Sequence, residues 1–496
     1  MHKWTCKGDP VGGQLDCMDL AGFVTGLGAW PAGRGALNRK LGQAIQRAIA
    51  SGVVAPGARL PAERALARAL AVSRATVVSA YAALVDAGWI ESRRGSGTYV
   101  RRGARVAHSP RETMASPLFG LISQERDLVI DLALGTPYAL GLSRDLFKLG
   151  REEEDALLDD RMYYPLGLAV LRQALAKRLT SIGLPSNPDQ ILVTNGAQQA
   201  ISLIASLYVQ RDDTVLVEDP TYFGAIETFR ATGARVSSVP VGADGVAPGV
   251  LRDRIAATAP RLIYLTPTFQ NPTGAVMPAI ARKAISKLSR EFGVPVIDDA
   301  SLADIILEGS PPAPIAAYGD HEGLLTAGSI SKLIWPGLRV GWIRAATPVI
   351  ERLGRIKTST DLGSPLLTQA VGARLIQALP EAQRLRREQL RPRRALLAQL
   401  LKRHLPQWRF QIPEGGFFLW IRLPAGDARE LAQVALRHGV LILPGSTMSA
   451  AGLYTRYVRL PFLADPEVLR VGIARLAGAW REYQSAPVMR QVSAIA

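Results

Sequence analysis

Apolar residues recur along this chain in two rhythms. Leu37, Leu41, Ile45, Ala48 and Ile49 repeat at helical spacing, so 37–50 reads as an amphipathic helix. Ser51-Gly52 stops it, and Pro56-Gly57 makes a turn. A short helix over 62–70 follows Pro61, and Ala71-Val72-Ser73 leads into a third helix with Ser73 as its N-cap. On that third helix Val77, Tyr81 and Leu84 form the buried side, while Arg74 and Thr76 stand exposed in the first turn. The rhythm then changes: 89–93 and 98–101 flank Gly95-Ser96-Gly97, a hairpin with the glycines a tight turn needs. Two short helices joined by such a turn suit a helix-turn-helix, whose second helix enters the major groove N-terminus first.

From 103 to 128 the chain is rich in Arg, Ser and Pro without a sustained period, and reads as a linker. Beyond it, apolar runs alternate with helical patterns. Strands are expected at 191–193, 215–217, 262–265, 294–297 and 324–327, with helices such as 200–209 and 279–292 between them. That alternation predicts a mostly parallel sheet with helices on both faces.

Composition adds a partner to this picture. With 496 residues, 48% apolar and 20% charged, the chain has the make-up of a globular protein with a sizeable core. Its 59 Lys and Arg against 42 Asp and Glu leave +17, and the excess is local. Residues 34–102 carry twelve basic and three acidic side chains, a net of +9. Such a surplus favours a polyanion, either nucleic acid or an anionic membrane surface. No run reaches the roughly 18 apolar residues of a spanning helix, and Met1–Pro10 lacks the apolar core of a signal peptide. Cys6 and Cys17 make neither a disulfide framework nor a zinc site, and the five histidines are never spaced as ligands. The expectation is a soluble, cytoplasmic protein with no membrane partner and no metal.

Ligands of open α/β sheets sit at the carboxyl ends of the strands. There, Thr194-Asn195-Gly196-Ala197-Gln198-Gln199 opens a helix whose backbone N–H groups suit a phosphate. Asn271-Pro272-Thr273-Gly274, Asp298-Asp299 and Ser329-Ile330-Ser331-Lys332 follow later strands, with Arg339 seven residues on. Polar and charged groups at successive strand ends are costly to bury unless they share a ligand. Ser329-x-x-Lys332 also fits the serine-nucleophile motif of penicillin-binding proteins. No Ser-Asp-Asn or Lys-Thr-Gly follows it, and it ends a strand rather than starting a helix.

Three segments, Pro56-Gly57-Ala58-Arg59-Leu60-Pro61-Ala62-Glu63-Arg64, Val72-Ser73-Arg74-Ala75-Thr76-Val77 and Gly95-Ser96-Gly97-Thr98-Tyr99-Val100, closely resemble the winged helix of GntR-type transcription regulators. The strand-end constellation resembles fold-type I pyridoxal-phosphate (PLP) enzymes, specifically class I aminotransferases, from about Val129 to Tyr483. Together they resemble the MocR-type subfamily, which fuses the two; only Met1 to about Ala32 lies outside. The implied architecture has four parts: a 1–33 extension, a 34–102 winged helix-turn-helix, mostly α with a small β-hairpin, a 103–128 linker, and a 129–496 α/β fold-type I PLP-dependent transferase domain with a mostly parallel central sheet.

The resemblance implies that Arg64, Arg74, Thr76 and Arg94 meet double-stranded promoter DNA, with Gly95 shaping the wing. It implies that Lys332 forms the Schiff base with the PLP aldehyde, and that Ser329, Arg339 and the amides of Gly196 and Ala197 hold the phosphate. Tyr222 would stack on the pyridine ring and Asn271 bond its phenolate oxygen. Asp298 would pair with the ring nitrogen, Asp299 being the alternative. Tyr163 or Tyr164 would reach the phosphate of the partner in a homodimer, and Arg459 would clamp the α-carboxylate of an amino-acid effector. Family members commonly place a tyrosine just after the acidic pair, whereas this chain reads Asp298-Asp299-Ala300-Ser301. PLP binding is expected to survive that change, but it weighs against efficient transamination. The function implied is a PLP-dependent transcription regulator sensing PLP, an amino acid or amine, or both, by aldimine exchange at Lys332. The alternative is a working aminotransferase with an accessory DNA-binding domain.

Overall fold

The computed structural model describes residues 20–28, 30–31, 35–50, 53–93, 95–101, 117–122 and 129–485. They fall into two compact units. One holds the chain up to Leu134 together with Leu423–Pro444 and the residues from Arg470; the other holds Gly135–Arg422 and Gly445–Leu469.

In the first unit, the helix Leu37–Ala50 buries the expected stripe of Leu41, Ile45, Ala48 and Ile49. Ser73 caps the helix Arg74–Asp86, its side chain accepting from Thr76 N at 3.1 Å, which satisfies one of the orphan donors of the first turn. The chain turns by 120° between this helix and the preceding Glu63–Ala69, the angle of a helix-turn-helix. Strands Ile90–Arg93 and Gly97–Val100 pair antiparallel behind it. A third edge joins this hairpin, since Gly57 N donates to Val100 O, Val100 N to Ala58 O and Leu60 N to Thr98 O at 2.9–3.0 Å.

The expected 1–33 extension contributes to this core. Leu20–Gly26 is helical, and Phe23, Leu27 and Trp30 are buried against Leu41, Ile45, Leu66 and Leu70. Within the expected linker, Pro117–Ile122 forms one short helix. The same unit contains a parallel pair, Ile130–Leu132 with Val440–Pro444, and the helix Ala428–Arg437. Trp30 Nε1 donates to Gln433 Oε1 at 3.2 Å, and Arg437 Nη1 to Leu70 O at 3.4 Å.

The second unit is built on an eight-stranded sheet. Its order is Ile191–Thr194, Gly341–Arg344, Leu324–Ser329, Val296–Asp299, Leu262–Leu265, Thr214–Asp219, Arg235–Gly242 and Gly245–Val246. The strands from Leu324–Ser329 to Arg235–Gly242 run parallel, Gly341–Arg344 is antiparallel to both its neighbours, and Gly245–Val246 is antiparallel to Arg235–Gly242. The strands Leu324–Ser329, Val296–Asp299 and Leu262–Leu265 are buried along their whole length, as the inner strands of a parallel sheet are. The expected strand at 294–297 starts two residues later. Gly293, left-handed at φ +64°, closes the helix Ala279–Phe292, and Val294 N donates back to Ser289 O, so Val294 belongs to the helix end.

Candidate functional site

All the expected strand-end residues described below lie in the second unit. Thr194 ends its strand and Gly196 caps the helix Ala197–Tyr208 at φ +80°, a conformation that glycine adopts without strain. A Cβ at Gly196 would fall 2.6 Å from Arg339 Nη2, so the guanidinium lies directly over the turn. Arg339 Nη2 donates to Asn195 O at 2.6 Å. The amide expectation needs one correction. Gly196 N–H turns inward to Thr194 O at 2.9 Å, which leaves the Ala197 N–H as the first helix donor available to an anion.

Lys332 lies one residue beyond Ser331 at the end of strand Leu324–Ser329, and its Nζ donates to Gly135 O at 2.5 Å. Burial pushes its pKa down to about 8; the positive charges of Arg459 and Arg339 add to this, and Asp299 opposes it. The amine therefore loses its proton far more readily than an exposed lysine. Ser329 Oγ donates to Val340 O at 2.8 Å and accepts from Ser331 N at 3.1 Å. The buried Ser331 Oγ has no hydrogen-bond partner among the described residues.

Tyr222 follows the end of strand Thr214–Asp219. Its hydroxyl donates to Gln198 Oε1 at 3.0 Å, and Gln198 Nε2 donates to Thr228 Oγ1 at 2.7 Å. Burial, with Asp299 nearby, pushes the Tyr222 pKa up to about 12, so it is a neutral ring. Arg459 is 3% exposed; its Nη1 donates to Asn271 Oδ1 at 2.9 Å, and its guanidinium lies 4.0 Å over the Phe418 ring. The proposed carboxylate clamp and the proposed phenolate ligand are thus hydrogen-bonded to each other.

The acidic pair divides its tasks. Asp298 Oδ2 accepts from Ile315 N at 2.8 Å, the only hydrogen bond described for this carboxyl, and burial raises its pKa to about 6 despite Arg282. Asp299 commits both oxygens: Oδ2 to the Tyr264 hydroxyl at 2.6 Å, and Oδ1 to the amide and hydroxyl of Ser301. Asp299 is the carboxylate whose charge reaches Lys332 and Tyr222, whereas Asp298 has the greater spare hydrogen-bonding capacity. Neither Ala300 nor Ser301 supplies a phenol; the Tyr264 phenol is held by Asp299. Tyr164 donates to Asp160 Oδ2 at 2.6 Å, while Tyr163 is 67% exposed.

Sequence reasoning left Gln198, Glu218, Tyr264 and Phe418 without roles. Glu218 is fully buried beside Tyr222's strand end, its Oε2 accepting from Thr266 N and Gln270 Nε2, and burial pushes its pKa up to about 8. An acid inside the run Val215-Leu216-Val217-Glu218 was the available signal.

In the winged helix, Arg64 and Arg74 are exposed. Arg74 holds Glu63 Oε2 through Nε and Nη2 at 3.1 and 2.8 Å. Thr76, expected to be exposed, is half-buried, because its hydroxyl lies 2.9 Å from Ser73 Oγ and serves the cap. Gly95 takes φ +77° at the hairpin tip. A Cβ at Gly97 would fall 2.9 Å from Arg59 Nε, which places an additional arginine across the wing. Arg94 lies outside the described residues.

A winged helix-turn-helix carried with a fold-type I aminotransferase-like domain defines a class of transcription regulator. Residues 37–100 match the bacterial regulatory proteins of the gntR family, and 130–476 match aminotransferase class I and II. The chain belongs to the MocR-type HTH regulators of the GntR family. It is 32% identical over 442 residues to the uncharacterized HTH-type transcriptional regulator YisV of Bacillus subtilis, covering 82% of this chain and 89% of that protein. To the probable rhizopine catabolism regulatory protein MocR of Rhizobium meliloti it is 27% identical over 478 residues, covering 90% and 94%. Among solved structures it is similar to the α-aminoadipate aminotransferase LysN of Thermus thermophilus, with TM-score 0.66 and 29% identity over 72% of this chain and 93% of that one. No single helix among the described residues is long and apolar enough to cross a membrane.

Proposed function

We propose that this regulator binds promoter DNA as a homodimer through its winged helices and holds PLP at Lys332, responding to PLP, an amino acid or amine, or both. The observation that carries the reading is Lys332 itself: a strand-end amine with its pKa lowered to about 8, flanked by Arg339 and Arg459. The donor set fits a phosphorylated pyridine aldehyde. Arg339 and the Ala197 N–H suit the phosphate ester, Ser329 would join them by turning its hydroxyl away from Val340 O, and the glycine turn beneath Arg339 leaves no room for a side chain. Asp298, with one hydrogen bond against three on Asp299, has the greater capacity for a protonated ring nitrogen, while Asp299, whose charge is felt at Lys332 and Tyr222, is the alternative. Tyr222 offers a neutral ring face, fixed by Gln198.

When bound, PLP supplies an electrophilic carbon and an electron-withdrawing ring. The residues of this chain bind and orient. Lys332 presents a readily neutralised amine, Asn271, its Oδ1 taken by Arg459, would offer its Nδ2 to the ring oxygen, and Arg459, aligned by Phe418 and Asn271, would receive the carboxylate of an amino acid. Tyr163 would reach across to the partner subunit, its hydroxyl not being held by Asp160 as that of Tyr164 is. Ala300 and Ser301 leave proton control at the ring oxygen weaker than a phenol would, which favours sensing over turnover.

Replacing Lys332 with Ala tests the assignment. The wild-type protein is expected to develop a visible absorbance band on adding PLP, and Lys332→Ala to lose it. An identical spectrum in the variant would sink the cofactor reading.

A further inference from the structure

A charge pair with a buried lysine and a half-buried aspartate lies behind the phosphate turn, and no role described above uses it. Lys357, on the helix Thr347–Asp361, is 0% exposed, and its ammonium meets both oxygens of Asp361 at 2.9 and 2.7 Å. Lys357 Nζ also donates to Gln199 Oε1 at 3.2 Å, and Gln199 Nε2 donates to Asp361 Oδ2 at 2.6 Å. The three side chains close a ring.

That ring grips one residue. Gln199 Oε1 accepts from Asn195 N at 2.7 Å, and Asp361 Oδ2 accepts from Asn195 Nδ2 at 3.3 Å. From the other side, Arg339 Nη2 holds Asn195 O at 2.6 Å. Asn195 is thus fixed at its amide, its carbonyl and its side chain, immediately before Gly196 and the first helical N–H groups. Burying a lysine is expensive, and a buried ion pair seldom adds net stability over an apolar packing of the same volume. A pair that instead immobilises an anion-binding turn removes the ordering cost that a phosphate would otherwise meet on binding.

We propose that Lys357, Asp361 and Gln199 are positioning residues that set the affinity of the Asn195-Gly196-Ala197 turn for a phosphate monoester. This rests on the proposal that PLP occupies the site, and it goes beyond it in locating phosphate selectivity behind the turn rather than in its ligands alone. None of the three need touch the cofactor.

The test compares PLP with pyridoxal, which lacks the phosphate, on the full-length protein by absorbance titration, with unfolding of the cofactor-free protein followed in parallel. Gln199→Met keeps the volume and leaves Lys357 and Asp361 paired. It is expected to weaken PLP binding about tenfold or more, as for loss of a hydrogen bond within a charged network, with pyridoxal affinity unchanged. Asp361→Asn strands the ammonium and is expected to exceed that loss; if it does not fold, Gln199→Met decides. PLP affinity equal to wild type, or PLP and pyridoxal weakened by the same factor, overturns the proposal. If wild type binds no PLP, the cofactor reading fails and this one with it, whereas variants that bind PLP as tightly as wild type overturn this proposal alone and leave the cofactor reading standing.

Discussion

Glu218 illustrates what burial does to a single acid beside this site. Its pKa rises to about 8 from 4.5, so the folded protein keeps a proton that the unfolded chain releases across that interval. Stability from this group is therefore complete below about pH 4.5 and drains away as pH climbs towards about 8, by up to about 1.4 kcal/mol per pH unit for one proton. Asp298, raised to about 6, acts with the same sign over a lower window. Glu218→Gln keeps the shape without the titration. Urea unfolding from about pH 5 to 8 should show a flatter pH dependence in the variant, and a slope matching wild type would contradict the buried, protonated acid. In the winged helix, Arg74 is paired with Glu63 in a partly exposed bridge worth little, about 0–1 kcal/mol, so its guanidinium would be free to turn to DNA at small cost if it is the base contact. Arg74→Ala should cost about 1–3 kcal/mol in specific binding and relax preference at one base position. Retained specificity would count against this docking.

At the level of elements, the helix Leu20–Gly26 is part of the winged-helix core. Phe23 is 2% exposed there, so Phe23→Ala should destabilise the DNA-binding module by about 3–5 kcal/mol, read as a lower unfolding midpoint and weaker DNA binding. An unchanged midpoint would mean that the helix merely rests on the surface. Its signal was in the sequence: Leu20, Phe23, Val24 and Leu27 repeat at i, i+3, i+4, i+7. The other helices of the module, its cap at Ser73 and its hairpin were legible because local rules govern each: periodicity, an N-cap, glycines in a turn. The edge formed by Gly57–Leu60 was not, since pairing across forty residues leaves no local trace. The cofactor-site candidates were legible as residue types at strand ends. Which acid has hydrogen bonds to spare, and which way the Gly196 amide turns, depend on neighbours such as Tyr264, Ile315 and Thr194 that only the fold brings near.

Over the whole molecule, charge and site belong to different parts of one chain. The net +9 of residues 34–102 suits a salt-sensitive attraction to DNA, while the proposed cofactor site around Lys332 would make that attraction conditional. An effector can change DNA binding only by binding two conformations of the protein unequally. The most direct measurement is therefore binding of the purified full-length protein to the DNA upstream of its own coding sequence while PLP is titrated in at fixed salt. The account predicts that affinity or footprint shifts with PLP, and that Lys332→Ala abolishes the shift while still binding DNA. DNA binding identical at every PLP level, in a protein shown by absorbance to have taken up the cofactor, would contradict it.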